Sequence, residues 1–331
     1  MKKFYEYILE EEEKKKMSSD THGKLHELLV GYHLQGGHME KHPDKNGHTP
    51  EEAHEKLKAS VSEDDYNRVN ENAQKAAEHI RGLVKEKGGD VHKVHWTSQP
   101  GDLHRSTNIH ASQDQDSSDI VVTDHNGKHH GVSLKVTGKK SGNVPVSNPG
   151  MEYTMGGKEI VDNNREDLHR KHPWINEVSG SARQNGLTPD KARKLHMRSN
   201  PQIQKAVRQQ NSDTLNKVVE HLHSKLEAMS PEERVAHIRH IIKAKPTPMQ
   251  EEGHHHIRHT TYNDGSTHHV DPTEAHEHIL SDPKNITVRR SGTSIYFDHN
   301  GKPFAKHRLK YENADDPLST IKGSGELVGK H

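Results

Sequence analysis

At 331 residues the chain has room for one large domain or two modest ones, but only 27% of it is hydrophobic, 29% is charged and mean hydropathy is −1.13, so any core must be small and its helices largely solvated. Cysteine is absent, which excludes disulfides, thiolate zinc centres and cysteine nucleophiles, and the lack of an apolar run of about 18 residues excludes a membrane-spanning helix. Forty-eight Lys and Arg balance 48 Asp and Glu, so any affinity for a polyanion must come from local charge.

The first residues, MKKFYEYILEEEEKKK, begin like a leader but turn acidic before an apolar stretch forms, which points to a cytoplasmic chain. Leu25, Leu28, Leu29 and Tyr32 then fall at i, i+3, i+4 and i+7, the spacing of an amphipathic helix over about 21–34. A Gly/His/Pro-rich loop follows, and Thr49-Pro50-Glu51-Glu52 reads as an N-cap with proline in the first turn. A longer helix is predicted over 63–87, closed by Gly88-Gly89, and Val91 to Trp96 reads as a strand.

The β-branched run Asp119-Ile120-Val121-Val122-Thr123, the turn Asp124-His125-Asn126-Gly127 and the return Gly131 to Val136 predict a hairpin. A Pro/Gly/Asn segment extends to about residue 157. Helical patterning covers 165–245, with starts at Thr188-Pro189-Asp190 and Ser230-Pro231-Glu232-Glu233. The last third reads as β-rich, with strands over 256–262, 286–290, 294–297 and 304–311.

Strand side chains alternate, so Ser133 and Lys135 share one face of the returning strand while Val132, Leu134 and Val136 take the other. An acid at the start of one strand and a lysine on its neighbour is an arrangement that metal-dependent phosphodiester cleavage uses: carboxylates hold the cation, and a nearby ammonium orients water or offsets developing charge. Asp119 with Ser133-Leu134-Lys135 resembles the PD-(D/E)xK nuclease superfamily, the restriction-endonuclease-like fold of many restriction and phage enzymes.

The resemblance spans about residues 20–155. It implies an α/β (α+β) fold, a mixed sheet flanked by helices, and Mg²⁺- or Mn²⁺-dependent hydrolysis of DNA. It also implies that Asp119 binds metal with the Leu134 carbonyl and that Lys135 is the catalytic lysine. The family's second acid is Ser133 here. One subgroup with Ser-x-Lys takes its missing acid from a following helix, which makes Glu152 the candidate, with Glu159 and Asp116 behind it. Glu27 on the first helix matches an acid that many members aim into the site, and Gln113 or Gln115 is placed to meet water or phosphate.

The implied organisation is a nuclease core over 1–157, a basic helical insertion over 158–247, and a β-rich part over 248–331 able to complete the core. Residues 161–250 hold 16 Lys/Arg against 10 Asp/Glu, which offers Arg193, Lys194 and Arg198 to a DNA backbone. Arg308 and Lys310 share a strand face with Lys306 and are offered likewise, and Lys322 is offered from a loop. The histidines of 254–259 read as a solvated polar strand, and His129-His130 are placed to line the nuclease site. The partner is DNA and not a membrane, a homodimer is left open, and the resemblance suggests a phage protein acting in host cytoplasm. The alternative is an inactive DNA-binding or structural protein that keeps the fold.

Overall fold

The computed structural model describes residues 17–40, 47–99, 101–112, 115–138, 143–184, 186 and 188–329. The leader-like start and Gln113 lie outside them. The fold is mixed α/β, with two five-stranded sheets among the described residues, each accompanied by helices.

The chain divides into two compact units, 1–141 with 246–271 and 142–245 with 272–331. This division departs from the one expected. The segment after 141 does not stay with the core, because Asn143–Ser147 is a strand paired to the C-terminal strand of the second unit. The helices of 158–247 fold with strands beyond 272 and are not a free-standing insertion. Of the C-terminal third, only 246–271 completes the first unit.

In the first unit, α1 (Ser19–Gln35) starts at Ser18, whose Oγ accepts the Thr21 N–H, and α2 (Pro50–Lys58) starts with the Thr49/Glu52 capping box. Next come α3 (Glu63–Glu86), β1 (Val91–Trp96) and a short α4 (Asp102–Thr107). The predicted hairpin is β2 (Ile120–Asp124) and β3 (His129–Thr137), in the register Ile120 to Val132 and Val121 to Gly131. Asp124 Oδ1 accepts the N–H groups of Asn126 and Lys128 at 2.9 Å, and Gly127 takes the positive φ that the turn requires.

After α10 (Pro248–Glu251) comes β5 (His255–Tyr262), parallel to β3 from His130/His255 to Thr137/Tyr262, with β6 (Thr267–His269) at the edge. The sheet order is β1-β2-β3-β5-β6. One face, with Val94, Ile120, Val122, Val132, Leu134 and Ile257, packs on α1 and α3 through Leu25, Leu28, Leu29, Ala73, Ile80 and Val84. The other carries Val121 against Leu103, Ile109 and Met249. Each fully buried aliphatic side chain contributes about 1.5–3 kcal/mol, so this modest set suffices for a unit of its size.

The second unit begins with β4 (Asn143–Ser147) and continues through α5 (Gly157–Lys171), α6 (Trp174–Gln184), α7 (Pro189–Arg198), α8 (Pro201–Ala228) and α9 (Pro231–Ile241). After α11 (Pro272–Leu280) come β7 (Ile286–Ser291), β8 (Ser294–His299), β9 (Lys302–Tyr311) and β10 (Ile321–Val328), giving the order β4-β10-β9-β8-β7. The segment Ile321-Lys322-Gly323-Ser324-Gly325, expected as a loop, is part of strand β10 despite its two glycines. They are required by close approach: a Cβ on Gly325 would meet the Ile241 carbonyl oxygen, and one on Gly323 would lie 2.8 Å from that of Pro149.

The histidine-rich strand is the main reversal. β5 is central, and every residue of 256–262 is buried. Its imidazoles stay neutral and bond inward: His259 Nε2 shares a hydrogen bond with His79 Nδ1 at 3.1 Å, and His26 Nε2 another with Thr261 Oγ1 at 3.1 Å. Burial holds His26 and His259 at a pKa of about 3 and His256 at about 4, while in the second unit it holds His307 at about 3.

The unfolded chain takes up these protons near pH 6.5 and the folded chain refuses them, so their stabilisation is complete above pH 6.5 and declines as pH falls toward 3–4. Each contributes a slope of about 1.4 kcal/mol per pH unit in that window, and four such groups outweigh the opposite slope of Glu27 and Asp119, whose carboxyls are raised. Melting temperature should therefore drop steeply between pH 6.5 and 4.5 in thermal scans; a flat profile there would show that these imidazoles are not held neutral.

Candidate active site

The first unit contains a pocket of about 480 Å³ that gathers Glu27 from α1, Trp96 from the end of β1, Asp119 at the entry to β2, and Leu134 and Lys135 from β3. Its rim includes Ser19, Asp20, His22, Gly23 and Lys24 from the first turns of α1, together with Asn263.

The backbone around Asp119 explains its position. Its N–H donates to the Val132 carbonyl at 2.8 Å, and its own carbonyl accepts the Thr97 N–H at 3.1 Å, so it is held between the ends of β1 and β3. Its carboxylate Oδ2 accepts the Leu134 N–H at 2.6 Å and the Ser133 hydroxyl also donates to it. Charge-assisted bonds of this kind are the strong ones, and they fix the Asp119 carboxylate where it lines the pocket.

Ser133 thus has a use that the motif alone does not reveal. It is buried, does not line the pocket, and holds the acid that does.

The electrostatics are unusual for two acids beside a lysine. Burial, then the neighbouring Asp119, push Glu27 up to about 8 despite Lys135 and Lys24. Burial raises Asp119 as well, against the pull of Lys135, the Leu134 amide and the Ser133 hydroxyl. Two desolvated carboxyls therefore share one close ammonium, an arrangement that favours a proton or a cation between them. Lys24 adds little, because it is tied to Asp20 at 2.9 Å.

The other expected residues are placed differently. Glu152 and Glu159 belong to the second unit, Glu152 in a 3₁₀ turn over Met151–Thr154, and neither lines the pocket, where Asp20 and Glu27 accompany Asp119. Asp116 is buried, its Oδ1 accepting from the Ser118 N–H at 3.0 Å and from the Ser118 hydroxyl. Gln115 turns to Ser112, accepting its N–H at 2.9 Å. His130 is buried against Asp124 at 3.1 Å, away from the pocket.

The basic candidates lie in the second unit and are mostly engaged there. Arg193 is buried in a two-pronged pair with Asp316, Nε to Oδ1 at 2.8 Å and Nη2 to Oδ2 at 3.0 Å, so it is not available to phosphate. Lys194 pairs with Asp190 at 3.0 Å, and Asp315 draws Arg208 and, at 4.0 Å, Arg198. Lys306, Arg308 and Lys310 do share one strand face, but Lys306 is buried on Glu326 at 2.6 Å and Arg308 lies 3.4 Å from the same acid. Lys310 is exposed, and Lys322 sits on β10, paired with Glu312 at 2.6 Å. Three arginines of these helices, Arg193, Arg198 and Arg208, are thus engaged by Asp315 and Asp316.

No family model matches the chain, and neither a curated protein nor a solved structure matches it. Among the described residues no helix is long and apolar enough to cross a membrane, and no group of three or more His, Asp or Glu is arranged to hold a metal.

The Arg193–Asp316 pair gives a direct check on this reading of the basic segment. Removing one partner of a buried pair strands the other charge, so Arg193→Ala should destabilise the second unit by about 3–5 kcal/mol. Urea unfolding measures it. A loss of DNA affinity with stability unchanged would instead return Arg193 to the DNA-contact set.

Proposed function

We propose that the first unit hydrolyses DNA phosphodiester bonds with a divalent cation, as its resemblance to the PD-(D/E)xK nucleases implies. The observation that carries the reading is the convergence of Glu27, Asp119 and Lys135, from α1, β2 and β3, in one pocket. Two desolvated carboxyls of raised pKa suit a hard cation, which takes oxygen ligands and keeps the rest of its shell as water.

Mg²⁺ or Mn²⁺ would be held by Asp119 and Glu27, with the Leu134 carbonyl as a further donor. When bound, such an ion polarises the phosphoryl oxygen and acidifies coordinated water. The chain's own residues do the rest. Asp119, fixed by the Leu134 amide and Ser133, presents one oxygen without reorganisation. The Lys135 ammonium offsets charge on the phosphate as water adds to phosphorus and the sugar oxygen leaves with a proton. Glu27, whose carboxyl burial and Asp119 push up, would give up its proton on binding the cation it shares with Asp119, and the proton released by the attacking water would pass to solvent. Glu152 is not needed in this scheme.

One observation favours a second reading, a DNA-binding scaffold without chemistry: no cluster of three metal-type side chains exists among the described residues.

The two readings diverge in a simple assay. Purified protein with plasmid and linear DNA should cleave in Mg²⁺ or Mn²⁺ and not in EDTA, and Asp119→Ala, Lys135→Ala and Glu27→Ala should each lose about 100- to 10,000-fold. Ser133→Ala should lose less, because the Leu134 amide still holds Asp119. Binding without cleavage by the wild type in every metal would leave only the scaffold reading.

A further inference from the structure

Helix α1 contains two glycines, and packing accounts for only one of them. A Cβ on Gly31 would lie 2.0 Å from the Met39 sulfur, so that site must be small. A Cβ on Gly23 would meet nothing within 4 Å, and Gly23 does not have the positive φ that demands glycine. Glycine inside a helix is disfavoured over every residue but proline. Neither the core nor the backbone explains it.

Its location does. Asp20, Gly23, Lys24 and Glu27 stand at i, i+3, i+4 and i+7, one face of α1, and all four line the pocket. Helical side chains lean toward the N-terminus, so the Glu27 carboxyl lies over the turn that carries Gly23. A side chain at 23 would fill the ground between that carboxyl and the Lys24–Asp20 pair at the rim.

We infer that Gly23 is clearance for substrate: the sugar–phosphate backbone of a DNA strand crosses α1 at this residue to reach Asp119 and Glu27, with His22 and Lys24 beside it. The inference rests on the nuclease reading above. It makes residue 23 a determinant of what reaches the acids, acting through volume and not through any group of its own.

Gly23→Ala and Gly23→Leu test it, each with three measurements: melting temperature, Mn²⁺ binding by calorimetry, and binding of labelled DNA in Ca²⁺ together with its cleavage in Mg²⁺. Melting temperature should hold or rise, since both substitutions favour helix. Mn²⁺ affinity should stay, because the acids are untouched. DNA binding and cleavage should fall with side-chain size, reaching about 100-fold for leucine, the loss expected when a strand is displaced by an ångström or more. Wild-type DNA binding and cleavage in Gly23→Leu would overturn the inference while leaving the nuclease reading intact. Parallel loss of Mn²⁺ affinity would overturn it too, since residue 23 would then act on the acids. A wild-type protein that neither binds nor cleaves DNA would remove the nuclease reading, and this one with it.

Discussion

The parallel pairing of β3 with β5 is the constraint on which the first unit depends. Parallel neighbours cannot be joined by a tight turn and need a crossover of a dozen residues or more. Here the intervening chain contains β4 and α5 to α9 of the second unit before returning through α10. The division of the chain into interleaved units is therefore a consequence of one strand pairing. That pairing also makes β3 an interior strand, bonded on both sides, so that the Leu134 amide and the Ser133 hydroxyl are fixed groups on which Asp119 can be positioned.

The same pairing turns β5 from a polar strand into a central one. A strand with neighbours on both edges and packing on both faces ordinarily reads as a run of Val, Ile and Leu. This one reads His-His-Ile-Arg-His-Thr-Thr, and two of its polar groups bond to the packed helices, His259 to His79 and Thr261 to His26. Neutral imidazole is intermediate in polarity and can both donate and accept, which lets it serve as core where hydrocarbon is scarce. The chain's low apolar content and its high histidine content are two sides of one solution, and sensitivity to acid follows from it.

Charge is used in opposite ways in the two units. In the second unit, basic helices meet an acidic segment, and Arg193 with Asp316 closes a buried pair. Cations that look free in the sequence are internal fasteners. In the first unit the balance runs the other way, with two half-buried, desolvated carboxyls facing one near ammonium. An unbalanced site inside a neutral chain is costly unless something binds there, which is why the pocket and not the basic surface carries the functional proposal.

Much was determined by the sequence alone. Local signals placed α1, α2, α3 and the β2–β3 hairpin, because capping residues, periodicity and the Asn-Gly turn act within a few positions of themselves. They also placed Asp119 and Lys135 on neighbouring strands. What only the tertiary structure decided is everything set by chain segments far apart. The resemblance offered both Glu27 and Glu152, and it is Glu27 that lines the pocket with Asp119, since Glu152 folds with the second unit. Ser133 supports an acid instead of replacing one. Strands β4 and β10 carry residues that read as breakers: Pro145 lies on an edge strand, and the β10 glycines are required where the Ile241 and Pro149 carbonyls press close. The histidines of β5 are buried because β3 lies beside them, and pairing across more than a hundred residues leaves no trace in local composition.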